Sequence, residues 1–283
     1  MVRLVTVIGH GTKLLPHFIR HYKQYVDEID IVVYESDVHP LLGNEVKKIV
    51  EDYDDVNVVK VHTDRVFDWE RVTMLYNFFT NRKPNDWWVI ADIDEFHLYP
   101  NDDLEKLLSD CDNQGCDIVR GGFIDRIGRG GEFTELVDDI SIWEQFPNAG
   151  FFRFPMSGAN PNKICLMKGY VELTSGQHYA NINGNTTWKW QGWNHPLILQ
   201  DNTVQVHHFK WDKTSIDRVK AVASVNQKYA YSDEYSKMFI ELNKSKFKIN
   251  LDKSDYMFEL GLIHPEFNLY KKWNKLINKI KSI

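Results

Sequence analysis

Trp87-Trp88-Val89-Ile90-Ala91-Asp92-Ile93-Asp94-Glu95-Phe96 sets two carboxylates at i and i+2 directly after an unbroken aromatic and apolar run. A short apolar run bounded by polar residues reads as a buried strand. Three strand–helix pairs precede it. Leu4 to Ile8 is a strand ending at Gly9-His10-Gly11, followed by Leu14, Leu15, Phe18, Ile19, Tyr22 and Val26 at helical spacing. Ile29 to Tyr34 is a second strand, with Val46, Ile49 and Val50 on the helix after it. Val56 to Val61 is a third, leading to a helix from about Asp68 to Thr80. Strands separated by helices of this length pair in parallel through right-handed crossovers. The expected fold class is therefore α/β, an open, mostly parallel sheet flanked by helices.

In such sheets ligands bind beyond the carboxyl ends of the strands. The polar residues fall there: Gly9-His10, Glu35-Ser36-Asp37, His62-Thr63-Asp64 and Asp92-Ile93-Asp94-Glu95. One acidic strand end reads as a helix cap; four at one edge read as a site. Hard divalent cations take such oxygens, and Mg²⁺ or Mn²⁺ combines one or two carboxylates with substrate phosphate oxygens. An ion held this way stabilises the charge on a departing diphosphate.

The composition excludes other classes. The 283 residues are 43% hydrophobic and 13% aromatic, enough for a sizeable core. A net charge of -6 argues against a nucleic-acid partner. Three cysteines, Cys111, Cys116 and Cys165, cannot all pair and lack zinc-site spacing, so they read as buried thiols in a reducing compartment. Arg3 to Ile8 reads as a core strand rather than part of a signal peptide, and no apolar run approaches membrane-spanning length. The expected location is the cytoplasm (the host's, for a viral chain). Residues 268–283 hold five lysines and no acid, with Leu269, Trp273, Leu276, Ile277 and Ile280 between them. That stretch suits peripheral contact with an anionic membrane or ordinary packing as a terminal helix.

After Pro100 the pattern loosens. Asp103 to Leu108 reads as a short helix, and Asp117 to Arg120 as a fifth strand running into Gly121-Gly122-Phe123-Ile124-Asp125-Arg126. Gly128 to Gly131 reads as a mobile loop. Phe151 to Phe154, Lys163 to Met167 and Thr203 to Phe209 read as strands, and the chain reads as helical from Ser215 onward. The division expected is one domain over 1–220, in halves over 1–100 and 101–220, then a helical extension over 221–283.

Trp88-Val89-Ile90-Ala91-Asp92-Ile93-Asp94-Glu95-Phe96 resembles the DxDEF signature of GT-A-fold glycosyltransferases related to family 2, in particular the branch of bacterial surface-polysaccharide loci and large algal viruses. Gly176-Gln177-His178 and His207-His208-Phe209-Lys210-Trp211 resemble the later histidine blocks of that branch. The resemblance spans roughly residues 1 to 220 and implies an inverting, metal-dependent transferase using Mn²⁺ or Mg²⁺. It makes 1–220 the catalytic domain, 1–100 its nucleotide-sugar half and 101–220 its acceptor half. The donor implied is a nucleotide diphosphate-sugar, UDP-linked by preference, and the acceptor a glycan, glycoprotein or glycolipid. It implies Asp94 as direct metal ligand, Asp92 on the ribose or on the metal through water, and His208 completing the metal shell. Gly9, His10, Glu35, Ser36 and Ile93 would line the nucleoside, with Asp64 reaching the base and Arg71 near the base or diphosphate. His178 would serve metal or acceptor.

Transfer without a covalent intermediate needs one base for the acceptor hydroxyl. Two residues are candidates. Asp125 follows a strand between glycine-rich segments; Glu172 lies further along, where inverting enzymes of the resembling fold place the base. Trp190, in a tryptophan-rich stretch with Trp188 and Trp193, suits stacking on a sugar face or burial in a core. Simpler roles stand beside these: Glu35 and Asp64 as helix caps, His10 as a loop former, Arg71 as a solvated helix residue, Asp125 in a surface pair with Arg126. Two other functions fit the same scaffold. A sugar-nucleotide nucleotidyltransferase would need a basic glycine-rich loop after the first strand, where only Gly9-His10-Gly11-Thr12-Lys13 stands. An inactive glycan-binding protein would show a broken acidic motif, and Asp92, Asp94 and Glu95 are all present.

Overall fold

The computed structural model describes residues 1–150, 162–182, 184–186, 195–199, 204–224, 232–249 and 251. The chain forms two compact units that interleave in sequence. Unit 1 is Met1–Gly122 with Asn162–Val206, and unit 2 is Phe123–Pro161 with His207–Ile283.

Unit 1 begins with the expected alternation: β1 (Val2–Ile8), α1 (Leu15–Tyr22), β2 (Glu28–Glu35), α2 (Leu42–Val50), β3 (Val56–Thr63), α3 (Trp69–Thr80) and β4 (Trp87–Ile90). Next come β5 (Glu95–Leu98), α4 (Leu104–Gln114) and β6 (Ile118–Ile127), whose last residues belong to unit 2. In unit 2 stand α5 (Ile142–Gln145) and β7 (Asn148–Gly150). Unit 1 resumes with β8 (Asn162–Lys168), β9 (Glu172–Leu173), β10 (Ala180–Ile182), β11 (Asn185–Thr186) and β12 (Val204–His208), which ends in unit 2. Two helices close the described chain, α6 (Lys213–Ser224) and α7 (Ser232–Lys244).

The main sheet runs β3-β2-β1-β4-β8-β6-β12-β5. β1 pairs in parallel with both β2 and β4, and β2 with β3. β8 then pairs antiparallel with β4 and β6. This is a mixed α/β, Rossmann-like architecture whose parallel half is the half read from hydrophobic spacing. Strands buried on both faces are near-continuous apolar runs. β1 and β4 obey this, with Leu4, Val5, Ile8, Val89 and Ile90 at 1% exposure or less. β9, β10 and β11 form a separate small antiparallel sheet.

Glycine supplies one close approach. A Cβ on Gly121 of β6 would meet Cys165 Sγ at 2.4 Å and the Val204 carbonyl oxygen at 2.7 Å, so only hydrogen fits between β8 and β12 there. All three cysteines are buried free thiols.

In unit 2, Ile127, Phe133, Trp211, Val219, Met238, Leu242 and Ile249 make one core. Three local expectations change. Glu95 begins its own strand rather than trailing out of the acidic turn. The fifth strand expected is β6, and it runs unbroken through Gly121-Gly122 to Ile127. Gly128 to Gly131 is not an open loop: Arg129–Gly131 forms a helical turn, Gly131 is buried, and its carbonyl accepts from Ile249 N at 2.8 Å. The strand expected at Phe151 to Phe154 and the tail over 268–283 lie outside the described residues.

Candidate functional site

The order β3-β2-β1-β4 contains a reversal. The chain steps from β1 outward to β2 and β3, then returns to place β4 on the other side of β1. In open α/β sheets the crevice at such a switch point, beyond the strands' carboxyl ends, is where ligands bind. Here it is bounded by Gly9-His10-Gly11 after β1 and Asp92-Ile93-Asp94 after β4. Gly11 sits at φ 77, and a Cβ there would lie 3.7 Å from the Ile93 side chain.

Asp92 to Glu95 is a closed turn. Glu95 N donates to the Asp92 carbonyl at 2.9 Å, and Asp92 N donates back to Glu95 Oε2 at 3.3 Å. Ile93 is buried at 4% exposure and anchors the turn, while Asp92 and Asp94 are half-buried. The two aspartates of the motif thus share an edge.

Asp92 is held on both oxygens. Tyr76 Oη donates to Oδ1 at 2.8 Å, and Lys163 Nζ donates to Oδ2 at 3.1 Å. The same ammonium pairs with Glu95 Oε1 at 2.9 Å and donates to Gln177 Oε1 at 2.7 Å and the Gly176 carbonyl at 3.1 Å. Burial opposes the charge on Lys163, yet Asp92 and Glu95 outweigh it and raise the ammonium above its ordinary range. Tyr76 Oη also accepts from Val7 N at 3.2 Å, so one hydroxyl joins β1 to the acidic turn across the switch point.

The other candidates of unit 1 occupy mixed positions. Glu35 Oε1 accepts from Gly43 N at 2.9 Å in the first turn of α2, and Ser36 is buried beside it in sequence. Asp64 accepts from Tyr34 Oη at 3.2 Å and from Arg65 N at 2.8 Å. His10 stands 6.3 Å from the Phe67 ring. A Cβ on Gly9 would fall 2.2 Å from that ring, so the phenyl group occupies the space beside the β1 turn. Arg71 is exposed on α3, its Nη1 3.9 Å from Met74 Sδ. His178 Nδ1 is 2.7 Å from the Asn162 carbonyl, so Nδ1 carries the proton it donates there. Glu172 is exposed on β9.

Unit 2 brings together two residues to which the sequence assigned separate roles. Asp125 Oδ1 lies 3.1 Å from His208 Nδ1 and accepts from Trp211 Nε1 at 2.8 Å. His208 stacks on Phe123 with centroids 4.8 Å apart, whereas His207 meets Trp143 edge-on at 5.0 Å. Neighbouring histidines on a strand thus face different partners, as the pleat requires. Arg126 does not pair with Asp125 in the manner of a surface couple. Its guanidinium is buried over Trp143 at 5.0 Å, and burial lowers its pKa to about 10. Trp188, Trp190 and Trp193 lie outside the described residues.

Lys163, Tyr76 and Gln177 were not anticipated. The signal for Lys163 was a lysine at the head of the apolar run Ile164-Cys165-Leu166-Met167, since a charge inside a buried strand must meet an opposite one. Tyr76 and Gln177 carried no such mark. Among the described residues no three His, Cys, Asp or Glu side chains converge on a metal position. A Mg²⁺ or Mn²⁺ that relies on substrate phosphate oxygens needs only one or two carboxylates; Asp92 and Asp94 stand half-buried, two residues apart on one turn. No helix among the described residues is long and apolar enough to cross a membrane.

No protein-family model matches the chain, and no curated protein matches it. Similar solved structures include a chain described as a glucose-1-phosphate thymidylyltransferase from Bacillus anthracis in complex with sucrose. It shows 12% identity and a TM-score of 0.37, over 83% of this chain and 99% of that one. A UTP-bound UGPase from Acinetobacter baumannii matches at 8% identity and a TM-score of 0.31, over 88% of this chain and 100% of that one. A UDP-glucose pyrophosphorylase from the same species matches at 9% and 0.31, over 86% and 100%. Likeness this distant decides neither family nor activity.

Proposed function

We propose that the chain is an enzyme acting on nucleoside diphosphate-sugars and, within that class, a metal-dependent inverting glycosyltransferase. The observation that carries the reading is the place of Asp94: next to a braced Asp92, on a closed turn, at the switch point of a parallel sheet. Asp94 would hold the divalent ion together with diphosphate oxygens, and the ion would supply charge stabilisation to the leaving diphosphate. Asp92, anchored on both oxygens by Tyr76 and Lys163, would contact the ribose, or the ion through water. The acceptor oxygen bonds to the anomeric carbon as the bond from that carbon to the diphosphate breaks, and a carboxylate base takes the acceptor proton. Asp125 and Glu172 remain the candidates for that base.

A sugar-nucleotide nucleotidyltransferase is the second reading, and the activities named for the three solved chains belong to it rather than to the first. It would use the same acidic turn. Against it stands the short turn after β1, with Lys13 as its one lysine or arginine and the Phe67 ring against Gly9.

Thermal-shift measurements with a panel of nucleoside diphosphate-sugars, with and without Mn²⁺, on the wild type and Asp94→Ala, test the common core. Metal-dependent stabilisation that disappears in Asp94→Ala is expected, and no such stabilisation by any nucleotide would sink both readings. Product analysis separates them. Release of nucleoside diphosphate from a sugar donor supports transfer; release of pyrophosphate from a nucleoside triphosphate and a sugar 1-phosphate would overturn it.

A further inference from the structure

Lys163 Nζ has four oxygens close about it. Asp92 Oδ2, Glu95 Oε1, Gln177 Oε1 and the Gly176 carbonyl lie between 2.7 and 3.1 Å from it, and the side chain is 3% exposed. Two carboxylates and two carbonyls make the kind of shell that hard cations take. The chain spends backbone strain to complete it. Gln177 is a non-glycine residue at φ 55 with its side chain fully buried, and its Nε2 has no hydrogen-bond partner among the described residues. A residue held in the left-handed region persists only when its surroundings over-determine it. Here the Oε1 contact with Lys163 supplies that constraint.

The acidic turn has three carboxylates in four residues, Asp92, Asp94 and Glu95. Left to themselves they would attract a second ion or share a proton. We infer that Lys163 is a tethered cation that takes the place of a second divalent ion, limiting the turn to one metal, bound through Asp94, and keeping Asp92 out of its direct shell. Lys163 is then a positioning residue: it touches neither substrate nor metal and acts through Asp92 and Glu95. It also ties the acidic turn to the Gly176-Gln177-His178 turn through the Gly176 carbonyl and Gln177 Oε1. The inference rests on the reading of this turn as a metal–diphosphate site.

The test is Mn²⁺ binding, read by calorimetry and by the spin-resonance signal of free Mn²⁺, on the wild type, Lys163→Met and Lys163→Arg, each with and without UDP. The wild type is expected to bind one Mn²⁺ per chain with UDP, and Mn²⁺ alone at least tenfold more weakly. Lys163→Met is expected to bind Mn²⁺ without nucleotide at least tenfold more tightly than the wild type, and Lys163→Arg to return to wild-type behaviour. Two ions per wild-type chain would overturn the inference, as would a folded Lys163→Met with unchanged Mn²⁺ affinity. Should Lys163→Met fail to fold by circular dichroism, the wild-type stoichiometry and Lys163→Arg decide. If the wild type shows no Mn²⁺–UDP binding at all, the proposed function fails instead, and the nucleotide-free comparison still judges Lys163.

Discussion

His208 Nδ1 lies 3.1 Å from Asp125 Oδ1, and that same oxygen accepts Trp211 Nε1 at 2.8 Å. A carboxylate on Nδ1 favours the tautomer protonated there and orients the ring. The two residues therefore act as a pair, whichever role the pair serves.

Replacing Asp125 separates structure from chemistry. Asp125→Ala removes the acceptor of the buried Trp211 Nε1 and the partner of the half-buried His208 Nδ1, and a loss of about 1–3 kcal/mol in urea unfolding is expected. Asp125→Asn keeps an acceptor for Trp211 and should cost less, yet turnover should fall about 100-fold or more if this carboxylate handles the acceptor proton. Glu172→Gln, on an exposed residue, should leave stability within about 0.5 kcal/mol. If Glu172→Gln alone abolished turnover while donor binding persisted, the base would be Glu172.

Tyr76→Phe removes the hydroxyl that bridges Val7 N and Asp92 Oδ1. A cost of about 1–2 kcal/mol is expected from the lost buried hydrogen bonds, with weakened nucleotide-dependent thermal stabilisation because Asp92 loses one of its two anchors. Unchanged nucleotide affinity in a destabilised variant would show that Asp92 does not depend on this contact.

Stability should fall in mild acid. Burial lowers the pKa of His21 from 6.5 to about 4, opposed by its bond to the His97 carbonyl and by Asp102. Burial, with His21 and Lys163 nearby, also holds His97 well below its ordinary value. The unfolded chain then binds more protons than the folded one below pH 6.5, so the stabilisation is complete above that value and drains as pH falls toward 4. His21 alone accounts for a change on the order of 3 kcal/mol. Urea midpoints at about pH 7 and pH 4.5 read this directly, and His97→Phe should flatten the slope; equal midpoints in the wild type would refute the assignment.

Gly121→Ala puts a methyl group 2.4 Å from Cys165 Sγ and 2.7 Å from the Val204 carbonyl oxygen and Val206 Cγ2. Overpacking of a buried strand should cost about 1–3 kcal/mol. A melting temperature within a degree of the wild type would mean that β6, β8 and β12 separate more readily than their packing suggests.

The parallel half of the sheet was legible in the chain because each of its elements announces itself locally. β1, β2 and β4 are apolar runs, α1 and α3 carry apolar residues at helical spacing, and the carboxylates fall just past the strands. Period and punctuation survive in sequence because they depend on near neighbours. The acidic turn could be found the same way, and so could Asp125 from its place after a strand; His178 and His208 entered as candidates only through the resemblance. What the tertiary structure decided was partnership. Lys163 lies 71 residues from Asp92, and His208 lies 83 from Asp125. A side chain's place in a charge network depends on which strands the fold sets side by side, and β8 enters next to β4 antiparallel, against the local rhythm that precedes it. Sequence alone set Asp92 and Asp94 two residues apart on one turn, and the resemblance gave them separate roles; that a buried ammonium from a distant strand holds Asp92 Oδ2 only the tertiary structure decided.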